Sequence, residues 1–392
     1  MKKQLWSLAV MSVALFSACV SNNDNRSNDP YPVVMTNGVF VVGSGNQDNG
    51  IPGSLSYFDY TSQTATKDIF SSVNGQSLGM TANDVLRYGD KVYVVVDDEN
   101  SVFVLNAKTL RLLHRINMTD ILMLGEEKGV HPRRITADGD NIYVSTYGGD
   151  VEGDVEGDVG GYVAAIDTVS FQKKDEYKAG SYPEGVAVNR GYLYVANSGY
   201  GKGKNPSISV INLSTKATTE IKNENIRNPQ EIAVAGSDIY YLDWGAYGPA
   251  PTYAQEHAGV YLISGENVKQ IIPNATGMTC YDTKIYTFND PYGATGGASY
   301  TVYDIYSGIS IPIDLKDIDS PAAIGIDPVT GYLFVASRQM DTTEWGTFPS
   351  YTKDGYVNFY DSSFTKKGSF TCGVGPTRIA FNTGVEYVRT NY

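Results

Sequence analysis

Short apolar stretches alternate with polar turns along almost the whole chain, and the alternation repeats. "PRRITADGDNIYVSTYGG" begins at Pro132, "PEGVAVNRGYLYVANSGYG" at Pro183 and "PQEIAVAGSDIYYLDWGAYG" at Pro229. Each reads as a short strand, a tight turn, a second strand and a Gly-containing loop. A third strand follows in each unit: "SVFVLN" from Ser101, "YVAAID" from Tyr162, "SISVIN" from Ser207, "GVYLIS" from Gly259, "YTVYDI" from Tyr300 and "YVNFYD" from Tyr356. A fourth strand completes the unit. The aromatic residue of the second strand falls at Tyr93, Tyr143, Tyr194, Tyr240, Tyr286 and Phe334, in steps of 46 to 51 residues. Four short strands at that period predict an all-β chain in which each unit is a propeller blade. One more copy opens the chain, with "GVFVVG" from Gly38 as a second strand and "SLSYFD" from Ser54 as a third. Its first strand is missing there and reappears at the other end as "GPTRIAFN" from Gly375. The spacing therefore predicts a seven-bladed β-propeller of four-stranded blades, its first blade closed by the C-terminal strand so that no edge is left open. The strand period excludes a helical repeat.

Composition supports this reading. The chain is 42% hydrophobic and carries 41 Gly and 30 Tyr, which supplies a core, strand formers and turn formers. A net charge of −13 with no basic run excludes nucleic acid as a partner, because that affinity comes from Lys and Arg neutralising phosphates. The N-terminus departs from the repeat. "MKKQLWSLAVMSVALFSAC" places Lys2 and Lys3 before an apolar stretch running from Leu5 to Ala18, and Cys19 directly after Ser17 and Ala18. This is the pattern of a bacterial lipoprotein signal, with Phe16 where a lipobox usually has Leu. The chain then divides into a signal peptide over 1–18, the lipidated Cys19 with a polar tether over 19–32, and the propeller over 33–392. Acyl chains on Cys19 would anchor the protein to a membrane. No later apolar run is long enough to span one. Cys280 and Cys372 fall in different repeats, which argues against a disulfide.

In a propeller, the loops joining second to third strands share a face with the connections between blades. Here those loops are long and unequal, at 44–52, 147–161, 197–206, 244–258, 289–298 and 338–354, whereas the first-to-second turns are tight. Variable loops on a rigid scaffold are where binding is expected. They carry Tyr147, Tyr200, Trp244, Tyr247, Tyr253, Tyr292, Trp345, Phe348 and Tyr351, rings that suit a large, partly polar ligand or a protein surface; alternatively, some of them pack only their own loops. The starts of the inner strands place Asn83, Arg133, Glu184 and Gln230 at equivalent positions, with Thr276, Ala322 and Thr377 in the remaining blades. They predict a mixed polar ring at the mouth of the central channel, binding ligand or pairing within itself.

The search for catalytic and metal sites is mostly negative. The acidic run "DVEGDVEGDVGG", from Asp150 to Gly161, offers oxygen ligands for calcium but lacks the spacing of an EF-hand loop; it reads as a calcium loop of another kind or as a solvated flap. The three histidines, His114, His131 and His257, lie in no hydrolase or metalloprotease motif. Glu184 and Asn83 could imitate the calcium ligands of a propeller lactonase, but Arg133 stands beside them and would oppose a cation. No catalytic residue, metal site or cofactor is assigned, and the chain reads as a non-enzyme.

The repeat, the stretch "LGMTANDVLRYGDKVYVVVDDENSVFVLNAKTLRLLHRI" from Leu78 to Ile116 and the lipoprotein start together resemble the YncE-like propeller lipoproteins of Bacteroidetes. That group includes the BtuG-type surface proteins, which bind cobalamin and cap a TonB-dependent transporter. The resemblance implies an outer-membrane lipoprotein, lipid-anchored at the cell surface, that captures cobalamin or another corrinoid and delivers it to such a transporter. On that implication Tyr147, Tyr200, Trp244, Tyr247, Tyr253, Tyr292 and Trp345 would cover the ligand, while Asn197 and Arg338 would bond to its amides or phosphate. Two other classes remain open: a glycan-binding or adhesive surface propeller, and a calcium-dependent propeller lyase or lactonase.

Overall fold

The computed structural model describes residues 30–122, 130–148, 160–199, 205–248, 255–291, 297–344 and 346–388. Among them are seven four-stranded antiparallel sheets and two small two-stranded hairpins. The sheets are the predicted blades. Their inner strands are Pro376–Val388 in blade 1, Ala82–Tyr88 in blade 2, Pro132–Asp138 in blade 3, Pro183–Asn189 in blade 4, Pro229–Ala235 in blade 5, Gly277–Tyr281 in blade 6 and Ser320–Ile326 in blade 7. Each inner strand packs on that of the next blade, and the series returns from blade 7 to blade 1. Proline opens four of these strands, a position where its missing N–H costs the ladder nothing.

Blades are buried on both faces, and period-2 alternation divides each strand between its two neighbours. In Lys91–Val96, the second strand of blade 2, Val92, Val94 and Val96 pack with Phe40, Val42 and Leu55 of blade 1. Tyr93 and Val95 of the same strand face Ile135, Ile142 and Val144 of blade 3. All five are fully buried. At roughly 1.5–3 kcal/mol for each large apolar side chain buried, these seams are the main source of stability, and no blade has them without its neighbours. The first-to-second turns are tight as expected: Gly139 adopts φ +56° in the turn linking the first two strands of blade 3, a left-handed conformation that glycine enters without steric cost.

Ring closure follows the expected plan but is more extensive. Tyr31–Gly43 pairs with Pro376–Val388 over nearly its whole length, from Gly43↔Pro376 to Tyr31↔Val388. The sequence pattern placed the closing strand over residues 375–382; pairing continues through 383–388 and extends the two strands as a ribbon. The seam between blades 7 and 1 is aromatic. Phe58 stacks on Phe370 with centroids 4.8 Å apart, and Phe334 contacts Phe359 at 5.2 Å and Phe381 at 5.4 Å. Asp327 of blade 7 is fully buried in it. Its carboxylate accepts from the Thr36 hydroxyl (2.6 Å) and the Tyr60 hydroxyl (2.9 Å), both in blade 1, and from Val329 N–H and the Thr330 hydroxyl in its own turn. Burial, reinforced by Asp327, pushes the Tyr60 hydroxyl pKa far up, so it remains a donor.

Two outcomes follow from closure. A chain ending at Gly375 should unfold or aggregate as a whole rather than fray, and an unchanged melting curve would refute this. Asp327→Ala removes the acceptor of the Thr36 and Tyr60 hydroxyls at once and should cost on the order of 3 kcal/mol in denaturant unfolding, while the exposed Lys67→Ala should cost under about 1 kcal/mol.

Candidate functional site

The loop face is built by one device repeated around the ring. The residue after the second strand donates its N–H to the carbonyl just before the inner strand of the same blade: Asp97 to Thr81, Tyr147 to His131, Ser198 to Tyr182 and Trp244 to Asn228. Thr81, His131 and Tyr182 take up left-handed backbone there, with φ near +55°. A register shift follows at once in the inner strand, between Ala82 and Asp84, Pro132 and Ile135, Pro183 and Val186, and Pro229 and Glu231. These bulges set the direction of the side chains at the channel mouth.

Asn83, Arg133 and Glu184 are brought together there, and Asp97 joins them. The Asp97 carboxylate takes Arg133 Nη1 at 2.5 Å and Asn83 Nδ2 at 3.2 Å on one oxygen, and His131 Nδ1 at 2.7 Å on the other. Arg133 also donates from Nε to both Glu184 oxygens, at 3.3 and 3.2 Å. Gln230 stands apart and donates to Asn228 Oδ1 at 2.6 Å. A second tier includes Arg378, with Nη1 2.7 Å from Glu231 and Nε 3.4 Å from Asp84, and Arg134, whose Nη1 donates to the Asn83 carbonyl at 2.7 Å. Four carboxylates thus face three guanidiniums, and a protonated His131 completes the balance.

The pKa shifts agree with this geometry. Burial works against the Asp97 carboxylate, yet bonds from His131 and Arg133 hold it below the usual range. The hydrogen bond to Asp97 raises His131. Asp97, Asp98 and His131 offer ligand atoms within 4.8 Å of one another. However, both Asp97 oxygens are committed, Asp98 accepts from the Thr81 hydroxyl at 2.6 Å, and Arg133 would repel a cation. The donor set therefore fits an ion-pair network better than a metal.

Several residues expected in an open aromatic mouth are elsewhere. Tyr147 is buried: its ring lies under the Arg133 guanidinium at 4.7 Å and its hydroxyl donates to Glu184. Asn197 is also buried. Its Nδ2 donates to the Ser207 and Ser209 hydroxyls at 2.9 and 2.8 Å and its Oδ1 accepts Gly180 N–H, so the amide ties blade 4 to the outer strand of blade 3. Trp244 is half-buried in a seam and donates its indole N–H to the Thr276 carbonyl of blade 6 at 3.0 Å. In each case a polar group in a seam has found a partner, as burial requires.

The rings left at the surface lie on the two hairpins. Tyr247, 47% exposed, sits where Ala246–Tyr247 pairs with Gln255–Glu256 in blade 5. Phe348 and Tyr351, 51% and 52% exposed, belong to the insertion of blade 7, where Met340–Thr343 pairs with Gly346–Pro349. Both hairpins join second to third strands and so rise from one face. Arg338, half-buried at the base of the second hairpin, stands over the Tyr351 ring at 5.4 Å. Tyr200, Tyr253, Tyr292, Trp345 and Cys19 lie outside the described residues, as does the acidic run over 150–158.

Sequence reasoning passed over Asp97, Asp243 and Asp290. Asp243 is the last residue of its second strand, in "YYLDW", while Asp97 and Asp290 directly follow theirs, in "VVVDD" and "TFND"; an acid at that boundary was a usable signal. Asp243 is fully buried and accepts N–H from Arg227, Asn228 and Gly245, which fixes the start of the Trp244 loop. Burial nevertheless pushes its carboxyl up to about 6.

A family model described as a domain of unknown function (DUF5074) matches residues 37–120, from the second strand of blade 1 through blade 2. No curated protein matches the chain. Among solved structures, a "putative 6-phosphogluconolactonase" from Bacteroides uniformis is 12% identical with a TM-score of 0.55, covering 88% of this chain and 100% of its own. One of the same description from Bacteroides fragilis is 14% identical with a TM-score of 0.53, covering 88% and 97%. The Kuenenia stuttgartiensis hydrazine synthase is 16% identical with a TM-score of 0.52, covering 77% and 93%. At these identities the likeness is one of fold alone, and it agrees with the β-propeller architecture.

The mouth network sets a pH dependence. A raised His131 pKa contributes stability that is complete below about pH 6.5 and is lost as pH rises through the folded-state value. A lowered Asp97 pKa contributes stability present above about pH 4 and lost as pH falls through its folded-state value. His131→Asn, which tolerates the left-handed backbone, should therefore lie further below wild type in melting temperature at pH 5.5 than at pH 8.5. An equal gap at both values would show that the His131–Asp97 pair contributes nothing.

Proposed function

We propose that this chain is a ligand-capturing propeller: a lipoprotein of the outer-membrane surface that binds a nutrient on its loop face and passes it to a TonB-dependent transporter. The observation that carries the reading is the pair of hairpins in blades 5 and 7, which lie outside the four-stranded sheets and present Tyr247, Phe348 and Tyr351 to solvent on one face. Exposed rings on rigid insertions serve recognition, because they offer flat amphipathic area at low entropic cost. The channel mouth supports the same view from the other side. Asp97 and Glu184 are held by Arg133, and Glu231 by Arg378, so these groups are poorly placed to act as a general base. Cobalamin or another corrinoid is the lead ligand by sequence resemblance, and its broad face with amide arms suits an aromatic rim. A glycan is the alternative on the same rings.

A lactone-hydrolysing propeller is the second reading, prompted by the names of the two Bacteroides structures. It needs a free carboxylate or metal at the channel mouth, where Arg133 now stands. Turnover of 6-phosphogluconolactone by the purified full chain, lost in Glu184→Gln, would establish that reading instead.

Binding is tested on the full chain by calorimetry with cyanocobalamin. The expected result is tight binding, weakened at least about tenfold in the Phe348→Ala, Tyr351→Ala double variant, since one aromatic anchor is commonly worth on the order of 2 kcal/mol. Asn141→Ala, in the tight turns of the opposite face, should leave it unchanged. Absence of cobalamin binding at micromolar protein, with retention by a polysaccharide in a native affinity gel, would replace the corrinoid by a glycan.

Location is tested separately. Cys19→Ala should release the protein from the membrane fraction, and intact cells should expose the wild-type chain to added protease. Protection from protease in intact cells would rule out capture at the surface.

A further inference from the structure

Blades 6 and 7 meet at the loop face in a group of polar atoms that the network at the channel mouth does not absorb. Arg338 ends the second strand of blade 7, and among the described residues its side chain makes no hydrogen bond and no ion pair. Its Nε is buried and has no acceptor. Across the seam, Asn289 ends the second strand of blade 6, and its Oδ1 is a buried acceptor without a donor. Asp290 follows. It accepts the Ser320 hydroxyl at 3.0 Å, and Ser320 is the backbone partner of Arg338. The other cations of this rim are engaged: Lys353 with Asp341 at 2.6 Å and the Met340 carbonyl at 3.0 Å, and Lys67 with Asp354 at 2.9 Å. Among the described residues no acceptor bonds this half-buried guanidinium, and the Asp290 carboxylate acts on it only through space, so the water lost on burial is not replaced by a hydrogen bond. Burial accordingly lowers its pKa.

We infer that Arg338 is an anion-recognition residue: the wall between blades 6 and 7 receives a carboxylate or phosphate group of the loop-face ligand. The inference rests on the reading of that face as a binding surface and specifies the ligand's chemistry. A guanidinium presents its N–H groups as a planar fork that matches two oxygens of an oxyacid. Tyr351 covers one face of the fork at 5.4 Å and is itself 52% exposed, so the ligand part next to the acid group meets an aromatic surface. Asn289 Oδ1 and the Asp290 carboxylate supply acceptors close by, which favours hydroxyl or amide donors next to the acid. The ligand class is therefore an acidic group carried on a hydroxylated or amide-bearing body with an apolar face. This differs from the mouth network, where Arg133 and Arg378 already hold carboxylates.

The test compares the full wild-type chain with Arg338→Gln and Arg338→Lys, using phenyl phosphate, benzoate and the neutral benzyl alcohol as probes. A bound probe raises the melting temperature of the state it binds. In wild type, at least one acidic probe should raise the melting temperature and benzyl alcohol much less; which acid acts identifies carboxylate or phosphate. Arg338→Gln should lose the acidic-probe response by about tenfold in apparent affinity, and Arg338→Lys should recover only part of it. Without probe, Arg338→Gln should melt close to wild type, since no hydrogen bond or ion pair is removed; an arginine that held the fold together would melt markedly lower when replaced. The control Arg190→Gln, in an exposed turn of the opposite face, should respond like wild type. An undiminished acid response in Arg338→Gln, or no acid response in wild type, overturns the inference. Loss of cyanocobalamin binding in a Tyr247→Ala, Phe348→Ala double variant, which leaves Arg338 and Tyr351 in place, tests the underlying reading on its own, so the two failures are distinguishable.

Discussion

Every blade depends on the pairing of the two ends of the chain. A four-stranded sheet with apolar residues on both faces cannot stand alone in water, and seven of them in a row would leave two outer faces and one incomplete blade. The pairing of Tyr31–Gly43 with Pro376–Val388 removes all three defects together. The Asp327 carboxylate, shared by Thr36 and Tyr60, fixes the register of that closure from within the seam. Because closure joins residues more than 300 positions apart, it is the slowest kind of contact to form and the one whose loss is felt everywhere.

A closed ring converges seven inner strands on one axis, and the polar side chains at their starts are forced together. This chain answers that convergence with charge pairing. The bulges after Ala82, Pro132 and Pro183 bring Asn83, Arg133 and Glu184 within bonding distance, and Asp97 and His131 complete the set. Such a network favours one arrangement of neighbouring blades, because breaking any pair leaves a charge stranded. The same pairing occupies the place where a propeller enzyme would hold its acid, base or metal. On the proposed reading, recognition falls to the hairpins of blades 5 and 7, whose rings stay exposed at the loop face.

Arg338 shows the contrast within one residue type. Arg133 and Arg378 are bonded to carboxylates, whereas Arg338, at the loop-face edge of blade 7, has an aromatic ring over it, feels the Asp290 carboxylate only through space and has no acceptor for its buried Nε. A guanidinium in each of the first two positions is accounted for by the fold. In the third, the fold leaves the hydrogen-bonding fork unused.

The architecture was legible in the residues alone, because strand period, turn chemistry and the displaced first strand are local signals carried by the repeat. From "GVFVVG" and "GPTRIAFN" alone, closure could be read without any knowledge of contacts. The same pattern also located the loop face and the ring of inner-strand polar positions, since both follow from position within the repeat. Which of those residues face solvent was set by the packing of one blade on the next. Tyr147, Asn197 and Trp244 occupy loop positions in the sequence, but each borders a seam, and a buried hydroxyl, amide or indole N–H must find a partner; Glu184, the Ser207 and Ser209 hydroxyls and the Thr276 carbonyl supply them. The link from Asp97 to Arg133 and His131, and the absence of any such link at Arg338, depend on side-chain directions across blades. No periodicity along the chain encodes those.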